Sequence, residues 1–339
     1  MPFTFSHPLF AVPLRRIAPK WLSVTGLALG SMIPDMEYFM AMESYQTIGH
    51  SFLGFLVQGL PLSIATAFAF HLIVKPVLPK LFPAAGGIDQ FVKSLTGDWQ
   101  LRSGRTWLVF LISLLLGYWT HIFMDAWTHG TGIYVEWIPA LHRKYVGEPL
   151  YQLLQYGFSL IGVIVPALLL LNRYIRWRIA AKPRSLPAVE TAGMKLLLWV
   201  YAAGFGFILF AVKLLFSMNR SNIVSVAIVA PLSAALFGIL AASMLYTAAR
   251  NGSLAKGIGA VVLLLLTMSS LKILAILWPG LLPNGHYWMS RPKGEFIPLW
   301  CAFIWCWSIM LLICCRMIAG KRRTVHTGQA RLTRPNRMV

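Results

Sequence analysis

The stretch GYWTHIFMDAWTHG, Gly117–Gly130, decides how this chain is read. It continues an apolar run that begins near Trp107 and is long enough to cross a bilayer. Its far end nevertheless carries His121, Asp125 and His129. An α-helix turns about 100° per residue, so positions i, i+4 and i+8 fall within roughly an 80° sector. Three side chains able to ligate a metal therefore share one face of a membrane helix. Ionisable groups in such a segment are costly and read by default as a functional site. A histidine–carboxylate row suits a hard or borderline divalent cation such as zinc. His121 and Asp125 are separated by about 6 Å along the helix axis, which suits one metal or a bridged pair. The bland alternative for that pair is a polar contact between helices. For His129 it is a helix C-cap, where positive charge is favourable.

Composition sets the class around this segment. The 339 residues are 58% hydrophobic and 12% charged, and the mean hydropathy is +0.67. Long apolar runs recur along the chain, which predicts an all-α, polytopic helical membrane protein. Full spans are expected at about 52–74, 106–128, 152–172, 193–216, 223–248, 257–278 and 296–318. Two shorter stretches precede them, about 8–19 and 21–33, divided by Pro19 and Lys20. Each is short for a span, so together they predict a hairpin or two helices buried by their neighbours.

The net charge of +20 invites a nucleic-acid reading, but Lys and Arg cluster in the gaps between apolar runs. That is the positive-inside pattern, and no nucleic-acid partner is expected. The tail from Arg316 to Arg337 is basic, with Lys321, Arg322 and Arg323 adjacent, which predicts a cytoplasmic C-terminus. Counting back from it puts every heavily basic loop on one side, including Lys75–Arg105 and Arg173–Arg184. Asp35, His50, His121, Asp125 and His129 then lie at the extracytoplasmic ends of their helices. If Arg15, Arg16 and Lys20 mark a cytoplasmic bend, His7 returns to the same face. The four cysteines, Cys301, Cys306, Cys314 and Cys315, lie in the last apolar segment without metal-type spacing and read as packing residues. The first apolar stretch lacks a positive flank and ends in Pro34-Asp35, so no cleavable signal peptide is expected.

The linker RYIRWRIAAKPRSLPAVE, 173–190, separates a half rich in His and Asp from one nearly empty of them. The expected organisation is a site-bearing module at 1–172, the basic linker, a four-helix module at 191–320 and a basic tail at 321–339. In the first module Pro34 ends an apolar stretch and leaves Asp35 and Glu37 at its outer end. His50 opens the span at 52, with Ser51 placed as its N-cap. His7 precedes an apolar stretch in the same way. Taken singly, each has an ordinary reading as an interfacial turn or a structural histidine. Their shared placement, in a chain with 8 His and 10 acidic residues, favours a common site. His71 and His142 are left outside it, and His286 and Glu295 belong to another outer loop.

The ordered series His, Pro-Asp, Gly-His-Ser and His-x-x-x-Asp also resembles a known group. It is carried by MPFTFSHPLFAVPLRR, LGSMIPDMEYF, GHSFLGFLVQGLPL and GYWTHIFMDAWTHGTG followed by PLYQLLQYGFSLIG. These segments resemble an uncharacterised membrane family, domain of unknown function 4184. They are similar to bacterial inner-membrane metal-dependent hydrolases and distantly to zinc-dependent phospholipase C. The resemblance implies His7, Asp35, His50, His121 and Asp125 as metal-site residues, with location in a bacterial inner membrane. His129 joins them as a further metal-site candidate, and Asp35 or Glu37 is the expected general base. The function expected is a membrane-embedded, metal-dependent hydrolase that holds a divalent metal, zinc, and acts on an amphiphilic, lipid-like phosphate or acyl ester at the extracytoplasmic face. The alternative is a non-catalytic transporter or scaffold whose His/Asp cluster binds a cation or packs helices.

Overall fold

The computed structural model describes residues 3–43, 47–180, 187–216, 223–277 and 296–320. His286, Glu295 and the tail 321–339 lie outside the described residues. The N-terminal stretches form short helices, α1 (Pro8–Ala11), α2 (Val24–Met32) and α3 (Met36–Ala41). Next come α4 (Phe52–Leu81), α5 (Ile88–Leu95) and α6 (Gly104–Thr128). The connection to α8 (Leu150–Ala180) holds α7 (Ile133–Trp137) and a two-stranded hairpin, β1 (Lys144–Tyr145) and β2 (Glu148–Pro149). The last four helices are α9 (Ala192–Phe216), α10 (Ser225–Arg250), α11 (Leu254–Leu277) and α12 (Phe296–Ala319).

Seven of these helices, α4, α6 and α8–α12, are long and apolar enough to cross a membrane. They fall where the hydropathy of the sequence placed them, and the protein is a polytopic helical membrane protein. Two helices exceed their expected ends. The α4 helix runs on to Leu81, and α8 continues to Ala180, so Arg173, Arg176 and Arg178 are helical. An apolarity criterion stops at the first charges, whereas Arg is a good helix former.

The short N-terminal helices form the expected hairpin. The chain runs from His7 to an exposed bend at Arg15, Arg16, Pro19 and Lys20 and returns through α2 to Asp35. Ser23 caps α2 by accepting from the Gly26 amide at 3.3 Å. The α2 and α6 helices then pack in parallel, backbone against backbone. A Cβ on Gly30 would lie 2.2 Å from the Leu114 carbonyl oxygen, and one on Gly117 would lie 2.4 Å from that of Leu27. Small residues at such a contact let membrane helices approach closely without a hydrophobic drive. This contact brings the end of α2 beside His121.

The main core joins the two halves through α4. Leu62, Ala65, Ala69 and Ile73 of α4 pack with Ala241 and Met244 of α10 and with Trp300, Phe303 and Ile304 of α12. A buried ion cluster reinforces this join. Glu43, just past α3, accepts from Lys213 of α9 and from Lys272 of α11, the latter at 3.1 Å. All three are at most 8% exposed. At the other end of the bundle, Asp89 of α5 pairs with Lys195 of α9 at 2.6 Å and accepts from the Val189 amide at 2.9 Å.

Candidate metal centre

Four segments carry the site. His7 stands at the N-cap of α1. Asp35 ends the 3-10 turn Ile33–Asp35, in which Pro34 interrupts the regular helical ladder. His50 lies in the loop before α4, where Ser51 caps the helix by accepting from the Gly54 amide at 3.0 Å. His121 and Asp125 come from the last turns of α6. The structure brings these five side chains together from positions more than a hundred residues apart.

The geometry is centred on His121. Its Nδ1 lies 2.7 Å from the Ser31 carbonyl oxygen. A carbonyl only accepts, so Nδ1 carries the proton and Nε2 turns its lone pair into the cluster. From His121 Nε2, His50 Nε2 is 3.3 Å away and Asp125 Oδ2 is 3.3 Å away. His50 Nε2 and Asp125 Oδ2 are also 3.3 Å apart. These three donor atoms form an equilateral triangle. Asp35 Oδ1 stands beside it, 3.6 Å from His50 Nε2 and 3.7 Å from His121 Nε2. Its other oxygen, Oδ2, accepts from Thr4 Oγ1 at 2.8 Å. The His7 ring stacks on His121 with centroids 3.9 Å apart, and its Nε2 is 3.8 Å from Asp125 Oδ1.

Several of these buried polar atoms have no hydrogen-bond partner among the described residues: both ring nitrogens of His7, Asp35 Oδ1, His50 Nδ1 and Asp125 Oδ1. Burying such atoms unsatisfied is costly, and here they are concentrated at one point. Two groups of three can hold a metal ion, His7–Asp35–His121 and His50–His121–Asp125, and both include His121. A tetrahedral zinc with bonds of about 2.0–2.1 Å sets its ligands roughly 3.3–3.4 Å apart. The donor set and the triangle both fit a divalent cation.

His129 and Glu37 are placed differently. His129 is the C-cap residue of α6, with its amide bonded to the Asp125 carbonyl at 3.1 Å. Its ring is at the rim, with Nδ1 3.7 Å from Asp125 Oδ1 and 32% side-chain exposure. Glu37 is fully buried and turned toward the loop that carries His50. Its carboxylate accepts from the Thr47 amide at 3.0 Å, the Gly49 amide at 3.3 Å and Gln58 Nε2 at 3.2 Å, and also from the Thr47 hydroxyl. Gln58 in turn accepts from Trp300 Nε1 of α12 at 2.7 Å. His50 and Asp125, at 18% and 12%, are the exposed members of the five, against 1% or less for the others. Access is from their side.

Sequence reasoning did not single out Thr4, Thr47, Gln58, Trp300 or the Ser31 carbonyl. Neutral side chains in apolar runs carry little signal of their own, and a carbonyl carries none. His71 lies well away on α4, stacked on Trp99 with centroids 4.2 Å apart. His142 faces Tyr151 in the α6–α8 connection.

The fold and the cluster together define a polytopic helical membrane protein with a buried His/Asp group able to hold a metal ion. More narrowly, the chain belongs to the family described as domain of unknown function DUF4184, whose sequence model matches residues 1–248. That match includes every residue of the cluster. No curated protein and no solved structure matches the chain.

Proposed function

We propose that the protein is a membrane-embedded, metal-dependent hydrolase with its site at the extracytoplasmic face. The observation that carries this reading is the 3.3 Å triangle of His50 Nε2, His121 Nε2 and Asp125 Oδ2. Those atoms, with Asp35 and His7, would hold one divalent cation, zinc by donor type. His121 offers a single free nitrogen to both ligand groups, which favours one shared ion over two independent ones. When bound, the cation would polarise a phosphoryl or acyl oxygen and lower the pKa of water.

The chain's own groups supply the rest. His121 is oriented by the Ser31 carbonyl, as metal-binding histidines commonly are by an outer partner. Asp35 accepts a hydrogen bond from Thr4 on one oxygen and turns the other toward the histidines, so it lies nearer the cluster than Glu37 and would act as general base when that oxygen is not bound to the cation. Glu37 positions the His50 loop. The α6–α8 connection brings Trp137, 68% exposed, and Tyr145, 49% exposed, to the same end. Aromatic rings of this kind anchor at the headgroup level, which favours an amphiphilic phosphate or acyl ester as substrate.

Metal analysis of the purified protein, paired with hydrolysis of model phospholipids, tests the reading. About one zinc per chain is expected, with turnover lost on chelation and restored by zinc. Metal-free protein of native stability would leave a helix-packing cluster instead. Glu37→Ala is expected to weaken zinc binding about 10–100-fold, the usual effect of losing a group that orients a ligand. A chelator-competition titration measures it, and unchanged affinity would remove Glu37 from this role. Topology is tested by a single cysteine at Gly87, in the basic 75–105 segment. An impermeant thiol reagent should not label it in intact cells, and labelling would invert the assigned faces.

A further inference from the structure

A cavity lies at the other end of the bundle from the His/Asp cluster. It is about 340 Å³ in volume and is bounded by α4 and the segment 96–102 that leads into α6. Nineteen residues of α4 separate Phe52, beside the His/Asp cluster, from His71 on this cavity, roughly 30 Å of helix. That is the thickness of a bilayer core, so the two sites face opposite membrane surfaces.

The cavity is built in two levels. Phe68, Leu72 and Leu101 supply apolar walls, while Lys75, Arg102 and Asp98 supply charge. The balance is two cations against one carboxylate. The Lys75 ammonium donates to the Gly97 carbonyl and lies 3.4 Å from His71 Nδ1. The His71 ring is held by Thr25 Oγ1, 2.9 Å from Nε2, and by the Trp99 stack at an interplanar angle of 5°. An ammonium has three donors, so Lys75 keeps one for a ligand. Arg102 is exposed and makes no hydrogen bond or ion pair among the described residues. A volume of this size, with mostly apolar walls and a few convergent polar groups, is typical of small-molecule sites.

We infer that this cavity binds a phosphate group, presented by an anionic phospholipid whose acyl chain lies against the Phe68 and Leu72 side. Lys75 and Arg102 would take the phosphate oxygens, and Arg102 can do so with two parallel N–H donors. Trp99 also lines the cavity, and aromatic rings favour the headgroup level. This site is independent of the proposed hydrolytic centre.

Native mass spectrometry of the protein released from nanodiscs tests the inference. One arm uses phosphatidylglycerol, one phosphatidylcholine, and one adds inorganic phosphate. Wild-type protein should retain one phosphatidylglycerol in preference to phosphatidylcholine. Lys75→Ala/Arg102→Ala should weaken that retention about tenfold or more, since both cations that would meet the anionic headgroup are removed. Arg102→Glu, at an exposed position, should abolish the preference without disturbing the fold, while His121→Ala should leave it intact. Equal retention of both lipids, or no effect of Arg102→Glu, would overturn the site. Binding of inorganic phosphate with no lipid preference would overturn the lipid assignment.

Discussion

Replacing His121 with alanine is expected to strip the protein of zinc, with a loss of affinity beyond the 10–100-fold typical of an outer partner. His121 belongs to both groups of potential ligands, is fully buried, and has its free nitrogen fixed by the Ser31 carbonyl. No neighbouring group can replace that nitrogen without moving α2 or α6, which are locked together at Gly30 and Gly117. Asp125→Ala should act as strongly, because Asp125 Oδ2 completes the triangle. His50→Ala removes the third corner at a partly exposed position and guards against a simple folding failure. His129→Ala should cost far less, since its ring sits at the rim, and His71→Ala should retain full metal. Elemental analysis of the purified variants gives the answer. His121→Ala with wild-type metal content and native stability would end the metal reading of this cluster.

The parts of this design legible in the sequence were those with a strong one-dimensional signal. Each of the seven spans is a long, predominantly apolar run, and burial in lipid demands just that. The HxxxD pair of α6 was readable because helical periodicity alone places His121 and Asp125 on one face. Convergence of His7, Asp35 and His50 on that face needed the N-terminal hairpin, inferred from two short apolar stretches and the basic bend between them. What sequence could not supply was direction. Glu37 looks like a second acid beside Asp35, yet Pro34 and the following turn point the two carboxylates to different partners. Lys213 and Lys272 are charges deep in apolar runs, but their shared partner, Glu43, lies 170 and 229 residues away. The cavity at the opposite end was equally hidden, because His71, Lys75 and Arg102 come to line one space only when the 96–102 segment folds back onto α4.

That Glu43 cluster carries the other large expected effect. Glu43→Ala should destabilise the protein by about 3–5 kcal/mol, the usual range when one partner of a buried ion pair is removed. The reason is asymmetric solvation. Two ammonium groups left in a low-dielectric interior lose the carboxylate they share, and water cannot replace it. Glu43→Gln keeps a hydrogen-bond acceptor but not the charge, so it should fall between Glu43→Ala and wild type. The triple variant Glu43→Leu/Lys213→Met/Lys272→Met removes charge on both sides and should return near wild-type stability, since apolar replacements of whole buried ion clusters are often neutral or better. Unfolding in detergent, followed by circular dichroism, measures all three. Because Glu43 lies six residues beyond Glu37 and joins α9 and α11 to the end of α3, the triple variant also reports on the site. If it restores stability but not zinc affinity, the ion cluster sets the position of the metal-site module. If it restores both, the cluster acts on stability alone. A Glu43→Ala protein as stable as wild type would show that the two lysines are solvated and that this join is not buried in the membrane.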